Sequence, residues 1–177
     1  MYIINIEKRD SKIKARKLRR NGITPCSIYG GGLSEVILIQ AAESETMRLL
    51  KTKGKGGSVL LKCNDESYHV IIQEIAHNQL MDTIEHIAFL KVREGGYVNS
   101  VARVVFKNRD KLQKMVHRLV EEINYKALPE HLVEEVIIDL AKLRPGNRVR
   151  TKDLPIWSNE NVEVLDDGEK MVVSVEE

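Results

Sequence analysis

Apolar residues recur along this chain mostly at the two-residue spacing of strands, interrupted by a few segments where charge or glycine takes over. Tyr2 to Glu7 alternates isoleucine with polar residues and predicts a first strand. Lys12 to Arg20 offers a helix only Ala15 and Leu18 as a core face, so a short helix is expected there. Thr24 to Tyr29 reads as a strand with Pro25 tolerable near its start. Glu35 to Gln40 is β-branched and continuously apolar, the pattern of a strand buried on both faces. Glu43 to Lys51 predicts a helix with Met47 and Leu50 inward, an acidic first turn, and Arg48 and Lys51 at its end. Lys53 to Gly57 is a loop. Ser58 to Cys63 and Tyr68 to Ala76 predict strands joined through Asn64 and Asp65, and Ile84 to Val92 predicts another. About six strands and two helices thus precede position 93, with strands first, last and in pairs. That order favours an antiparallel sheet or small barrel with helices packed on it over alternating βαβ units.

The pattern breaks at Arg93 to Gly96, which sets the expected domains at 1–92 and 93–177. Tyr97 to Phe106 resumes as a strand. Asp110 to Leu119 is ambiguous, because Leu112, Met115, Val116 and Leu119 carry helical spacing. Val133 to Leu140 and Arg148 to Leu154 read as strands around a turn at Arg144 to Asn147. Val162 to Leu165, Asp166-Asp167-Gly168 and Lys170 to Val175 read as a terminal β-hairpin. The expected fold class is mainly β with an α+β front. Two or three helices accompany the first sheet, and a β-rich antiparallel domain follows.

Charge changes this picture in one place. The net charge of +2 hides an asymmetry: residues 1–62 hold 13 Lys and Arg against 5 Asp and Glu, and the remainder hold 15 against 21. The excess peaks at Lys12, Lys14, Arg16, Lys17, Arg19 and Arg20, six cations in nine residues, where Lys12, Arg16 and Arg20 stack at i,i+4. Each such like-charge pair costs an isolated helix about 0.2–0.5 kcal/mol. A segment that repels itself this way is at ease beside a polyanion. A solvated basic face is the blander alternative, yet this cluster runs into an Asn21-Gly22 turn, Tyr29 and three glycines.

Candidate catalytic chemistry is sparse. The five histidines make neither HxxxH nor HExxH, and Cys26 and Cys63 lie outside any CxxC, so no zinc site, other metal or cofactor is expected. The two cysteines read as reduced core residues of a cytoplasmic protein. No serine has a GxSxG setting, and the glycine runs at 30–32 and 54–57 fit no phosphate loop and read as flexible turns. The N-terminus has no signal-peptide h-region, and no apolar run has the length of a membrane span. Gln73 and His86 differ from these, as polar residues in the middle of apolar strands. Each is either an outward-facing residue of an amphipathic strand or part of a reading surface. Strand side chains can reach the wide, shallow minor groove of RNA, while cations supply affinity through phosphates.

Several stretches together resemble the family of bacterial large-subunit ribosomal protein twenty-five, in the two-domain form called general stress protein CTC. They are Asn5 to Arg9, the K-x-x-x-R-K-L-R pattern of Lys12 to Arg19, Pro25 to Gly31 with Tyr29-Gly30-Gly31, and the strand around His86, Ile87 and Phe89. In the second domain they are Leu128-Pro129, the run from Val133 to Leu154, and Val162 to Val175. The resemblance implies a six-stranded β-barrel that binds 5S ribosomal RNA, similar to the anticodon-binding domain of glutaminyl-tRNA synthetase, followed by a β-rich domain. By position it implies RNA contacts from Arg9, Lys12, Arg16, Lys17, Arg19, Tyr29, Gln73 and His86; the charge pattern adds Lys14 and Arg20. Ile13 stands where the family usually has glycine, and Ala88 where it usually has aspartate.

The expectation is therefore a non-enzymatic, cytoplasmic constituent of the large ribosomal subunit. It would bind 5S rRNA through the first domain and reach other ribosomal proteins through the second. Two rivals are a diverged, ribosome-associated stress protein with weakened or altered RNA specificity, and a small enzyme built on a histidine such as His86.

Overall fold

The first strand predicted from the sequence is a single bent segment that seals a barrel. The computed structural model describes residues 2–93, 95–111 and 115–176. In it β1 (Tyr2–Asn5) and β2 (Glu7–Lys8) are separated by Ile6 alone. They nevertheless form the opposite edges of one seven-stranded sheet. Between them run β3 (Ile23–Tyr29), β4 (Ile37–Ala42), β5 (Ser58–Cys63), β6 (Glu66–Asn78) and β7 (Thr83–Lys91), in the order β1-β5-β6-β7-β3-β4-β2. Ile6 N–H donates to Lys62 O at 2.8 Å on one side, and Arg9 N–H donates to Leu38 O at 3.0 Å on the other. Counting the bent segment once gives six strands in a nearly closed barrel, which leaves little edge for another chain to pair with.

Of the two readings the strand order allowed, the small barrel is the one that forms, and its sheet is mixed. β1 runs parallel to β5 and β3 parallel to β7. Both pairs join strands far apart in sequence, the long connection that parallel pairing requires. The β5–β6 turn falls on Asn64 and Asp65 as predicted, with Asn64 at φ +51°. Alternate residues of every strand except the short β2 point inward: Ile4, Cys26, Ile28, Ile39, Val59, Leu61, Val70, Ile72, Ile87 and Phe89 meet in one core. Helix α2 (Glu43–Thr52) adds Leu49 to that core, with Met47 and Leu50 only partly covered. The Thr46 and Thr24 hydroxyls pair at 3.0 Å in the interior. Both cysteines are buried and unpaired, and burial pushes the Cys26 thiol up to about 12.

Gly30 to Gly32 is a tight turn rather than a loose one. All three residues have positive φ, and a Cβ at Gly31 would sit 2.6 Å from Lys91 O. Only glycine lets the chain leave β3 this close to the end of β7. The turn thereby fixes Tyr29 at the lip of the sheet.

The chain divides into two compact units, Met1–Gly96 and Tyr97–Glu177. The second contains β8 (Val98–Lys107), β9 (Val116–Arg118), β10 (Glu122–Ala127), β11 (Glu135–Asp139), β12 (Arg148–Arg150), β13 (Val162–Val164) and β14 (Met171–Val175). One sheet runs β11-β8-β10-β13 and the other β12-β14-β9. Both sheets are antiparallel apart from the parallel β11–β8 pair. Ala102, Val104, Ile123, Tyr125, Val136, Ile138 and Val172 build the core of this unit. The Tyr125 hydroxyl donates to Val133 O at 2.9 Å and accepts from Val133 N–H at 2.8 Å.

One expectation is corrected here, one ambiguity is resolved and one strand is added. The terminal hairpin does not form, because β13 pairs with β10 and β14 with β12 and β9. Leu165 N–H donates to Asn124 O, and the Asp166 carboxylate accepts from Asn124 N–H at 2.6 Å, so this segment stays on β10. Lys152 N–H then takes Gly168 O, and the chain turns the corner into the other sheet. The helical spacing after Asp110 yields instead a 3-10 turn at Arg109–Lys111 and strand β9; Leu112 lies outside the described residues. Last, β10 lies between β8 and β13 although no strand was expected at 122–127. The turn at Arg144 to Asn147 forms as read, with Gly146 at φ +81° and Asn147 N–H donating to Arg144 O at 3.0 Å.

Candidate nucleic-acid interface

The cation cluster begins in the loop after β2 and continues through α1 (Ala15–Arg20). Leu18 is the only buried side chain of this helix, at 4% exposure, so its apolar anchorage rests on one residue. Its first turn holds no acid, while Lys17, Arg19 and Arg20 crowd the last turn, where the helix dipole favours cations. Lys12, Lys14, Arg16, Lys17 and Arg20 are exposed. Arg9 and Arg19 are half-buried and held by backbone oxygens: Arg9 Nη2 donates to Ile13 O at 2.9 Å, and Arg19 Nη1 to Glu85 O at 3.2 Å. Arg9 Nε is buried without a partner among the described residues. Arg16, Arg19 and Arg20 also line a cleft of about 440 Å³ with Asn78, Met81 and Glu85.

The outer face of β3, β7 and β6 carries the predicted polar residues. Cys26, Ile28, Ile87 and Phe89 point into the barrel, which leaves Ser27, Tyr29, His86 and Ala88 facing out. His86 Nε2 lies 3.0 Å from Ser27 Oγ. Burial lowers the His86 pKa, and nearby Arg9 and Arg19 push the same way against the Pro25 backbone and Glu74. The imidazole is therefore neutral at physiological pH. Burial, then Glu74, raises the Tyr29 phenol.

A bulge in β6 adds a residue that the alternation conceals. Ile72 pairs with Phe89 and Glu74 with Ala88, so Gln73 is the extra residue of the ladder. Ile72 belongs to the core and Ile75 packs on it, so Gln73 and Glu74 are two successive side chains turned outward between them. Strict period-two alternation would have turned Glu74 inward. One surface thus gathers Arg9, Arg19, Ser27, Tyr29, Glu74 and His86. Ser27 and Glu74 were not singled out from sequence: serine carries no distinctive spacing, and the bulge is invisible without the register.

Among the described residues no three His, Cys, Asp or Glu side chains are placed to hold a metal ion. Among the described residues no helix is long and apolar enough to cross a membrane.

Two family models match the chain. The model described as the ribosomal L25p family covers residues 4–89, and that of ribosomal protein TL5, C-terminal domain, covers residues 97–177. Among curated proteins, the large ribosomal subunit protein bL25 of Thermoanaerobacter sp. (strain X514) is 28% identical over 181 residues, covering 99% of this chain and 89% of its own length. The protein of the same name from Caldanaerobacter subterraneus subsp. tengcongensis is 26% identical, over 96% of this chain and 86% of that one. That of Finegoldia magna is also 26% identical, over 99% and 85%.

Proposed function

Because the chain belongs to the ribosomal L25p family and carries a TL5-type C-terminal domain, it is a structural constituent of the large ribosomal subunit, and we propose that its first domain binds 5S rRNA. The observation that carries this reading is one surface where fixed arginines meet strand-borne polar groups. Arg9 and Arg19, held by Ile13 O and Glu85 O, are both near enough to His86 to act on its charge, and His86 pairs with Ser27. The exposed cations Lys12, Lys14, Arg16, Lys17 and Arg20 neutralise phosphates and supply affinity without sequence preference. Tyr29 offers a ring for stacking, Gln73 offers an amide donor and acceptor to a shallow minor groove, and the neutral His86 presents an imidazole–hydroxyl pair with Ser27. Such a protein works on the ribosome in the cytoplasm and catalyses no reaction. The acidic balance of the later chain disfavours a broad phosphate interface there, so the second domain faces protein or a limited RNA patch. Nothing in the fold or the similar proteins favours the diverged, weakened-specificity alternative.

A salt titration of 5S rRNA binding tests the reading. With about four phosphates neutralised, log K falls against log salt with a slope of about −3 to −4. A flat response, or equal affinity for unrelated RNA hairpins, sinks it.

A further inference from the structure

We infer that Glu74 is a specificity-determining residue of this surface, an acceptor for a hydrogen-bond donor in an RNA minor groove: a guanine N2 amino group or a ribose 2′-hydroxyl. The inference rests on the RNA-binding reading above and names the chemistry of one contact within it. Three observations support it. The bulge between Ile72 and Glu74 turns this carboxylate to the outer face together with Gln73, where regular pleating would bury it. Its cross-strand partner is Ala88, a small side chain that leaves the carboxylate standing clear, and Ser27 follows in the same row on β3. Its charge is felt by both Tyr29 and His86, so it lies inside the proposed surface rather than at its margin.

An exposed carboxylate on a surface that also carries arginines cannot serve phosphate affinity, because it repels the backbone that the cations attract. What it can do is accept. Of the base edges in a minor groove, only guanine presents a donor, its N2 amino group; the ribose 2′-hydroxyl is the other donor there. Where the donor is guanine N2, a wrong base leaves the carboxylate desolvated and unpaired or facing an acceptor. Where it is a 2′-hydroxyl, an RNA whose shape does not present that hydroxyl there leaves the carboxylate unpaired. Either outcome penalises mismatched RNA. Glu74 thus converts a general polyanion surface into one that discriminates.

The test uses the full-length protein as wild type, Glu74→Ala and Glu74→Gln, titrated with 5S rRNA and with an unrelated RNA hairpin at several salt concentrations. Glu74→Ala is expected to weaken 5S binding about ten- to a hundredfold. Glu74→Gln, whose amide oxygen still accepts, should fall between. Hairpin binding should stay equal or tighten, and the salt slope should not change. Inosine-for-guanosine and 2′-deoxy replacements across the footprint identify the donor: the informative replacement weakens the wild type and leaves Glu74→Ala unaffected. If Glu74→Ala binds 5S rRNA as well as a discriminating wild type, the assignment of Glu74 is overturned and the RNA-binding reading stands. If the wild type itself does not discriminate, both fall.

Discussion

His86 shows how placement decides what a side chain can do. Its pKa is held below the ordinary 6.5, chiefly by burial, with Arg9 and Arg19 adding to the effect. Folding therefore disfavours the imidazolium, and the unfolded chain binds the extra proton more readily. The corresponding stability is fully present above the unfolded value of 6.5 and is lost as pH falls from there toward the depressed folded value. The expected outcome is that wild-type denaturation midpoints drop on acidification through this window more than those of His86→Gln. An NMR titration of the free protein should place the His86 midpoint below 6.5. Matching pH profiles for the two proteins would refute the linkage. That His86 and Gln73 interrupt apolar strands was legible in the sequence, because polar side chains stand out in such a run. Glu74 was not, since its outward direction depends on one inserted ladder residue that only the register reveals.

At the scale of elements, the short basic helix hangs on Leu18. With like charges along its exposed side and six residues in all, α1 has little stability of its own. Leu18→Ala truncates its one buried side chain and should cost about 2–3 kcal/mol in chemical denaturation, toward the lower end for buried leucines. It should also weaken RNA binding, because the cations lose their fixed positions; unchanged affinity would show that α1 positions nothing. Tyr125 plays the matching role in the second domain. Its hydroxyl satisfies both the N–H and the C=O of Val133. Tyr125→Phe leaves both without that partner and is expected to cost about 1–3 kcal/mol, measurable as a lower unfolding midpoint of the second unit. Strand β10, which carries this tyrosine, escaped the sequence reading although Ile123, Tyr125 and Ala127 alternate inward. Its outward Glu122, Asn124 and Lys126 dilute the apolar signal over a six-residue run. The terminal hairpin failed for the opposite reason. Local turn chemistry at Asp166 to Gly168 was read well enough to predict a reversal, but Asp166 ties the segment to Asn124, and the reversal becomes a change of sheet.

For the whole molecule, charge is divided much as the fold is. The unit Met1–Gly96 holds 15 Lys and Arg against 11 Asp and Glu, and Tyr97–Glu177 holds 13 against 15. The first is thus +4 and the second −2, close to balance but of opposite sign. A small barrel was one of the two readings the strand order allowed; how it closes was not legible, because one bent strand serving both edges looks in sequence like an ordinary first strand. The charge asymmetry was legible, and it limits what the second unit can add. Counterion release scales with phosphates neutralised. If the cations of the first unit do that work, an isolated 1–96 fragment should reproduce the salt slope of the full chain on 5S rRNA, within about one phosphate's worth, or 0.7–0.9. Its affinity at fixed salt should match the full chain or slightly exceed it, since removing a net-acidic unit relieves a weak repulsion that fades over a Debye length of about 8 Å at physiological salt. Binding the two proteins to the same RNA across a salt series measures both quantities. A fragment whose slope is shallower by two phosphates or more would show that Tyr97–Glu177 carries part of the phosphate interface, through a local patch such as Arg144, Arg148 and Arg150, despite its acidic total.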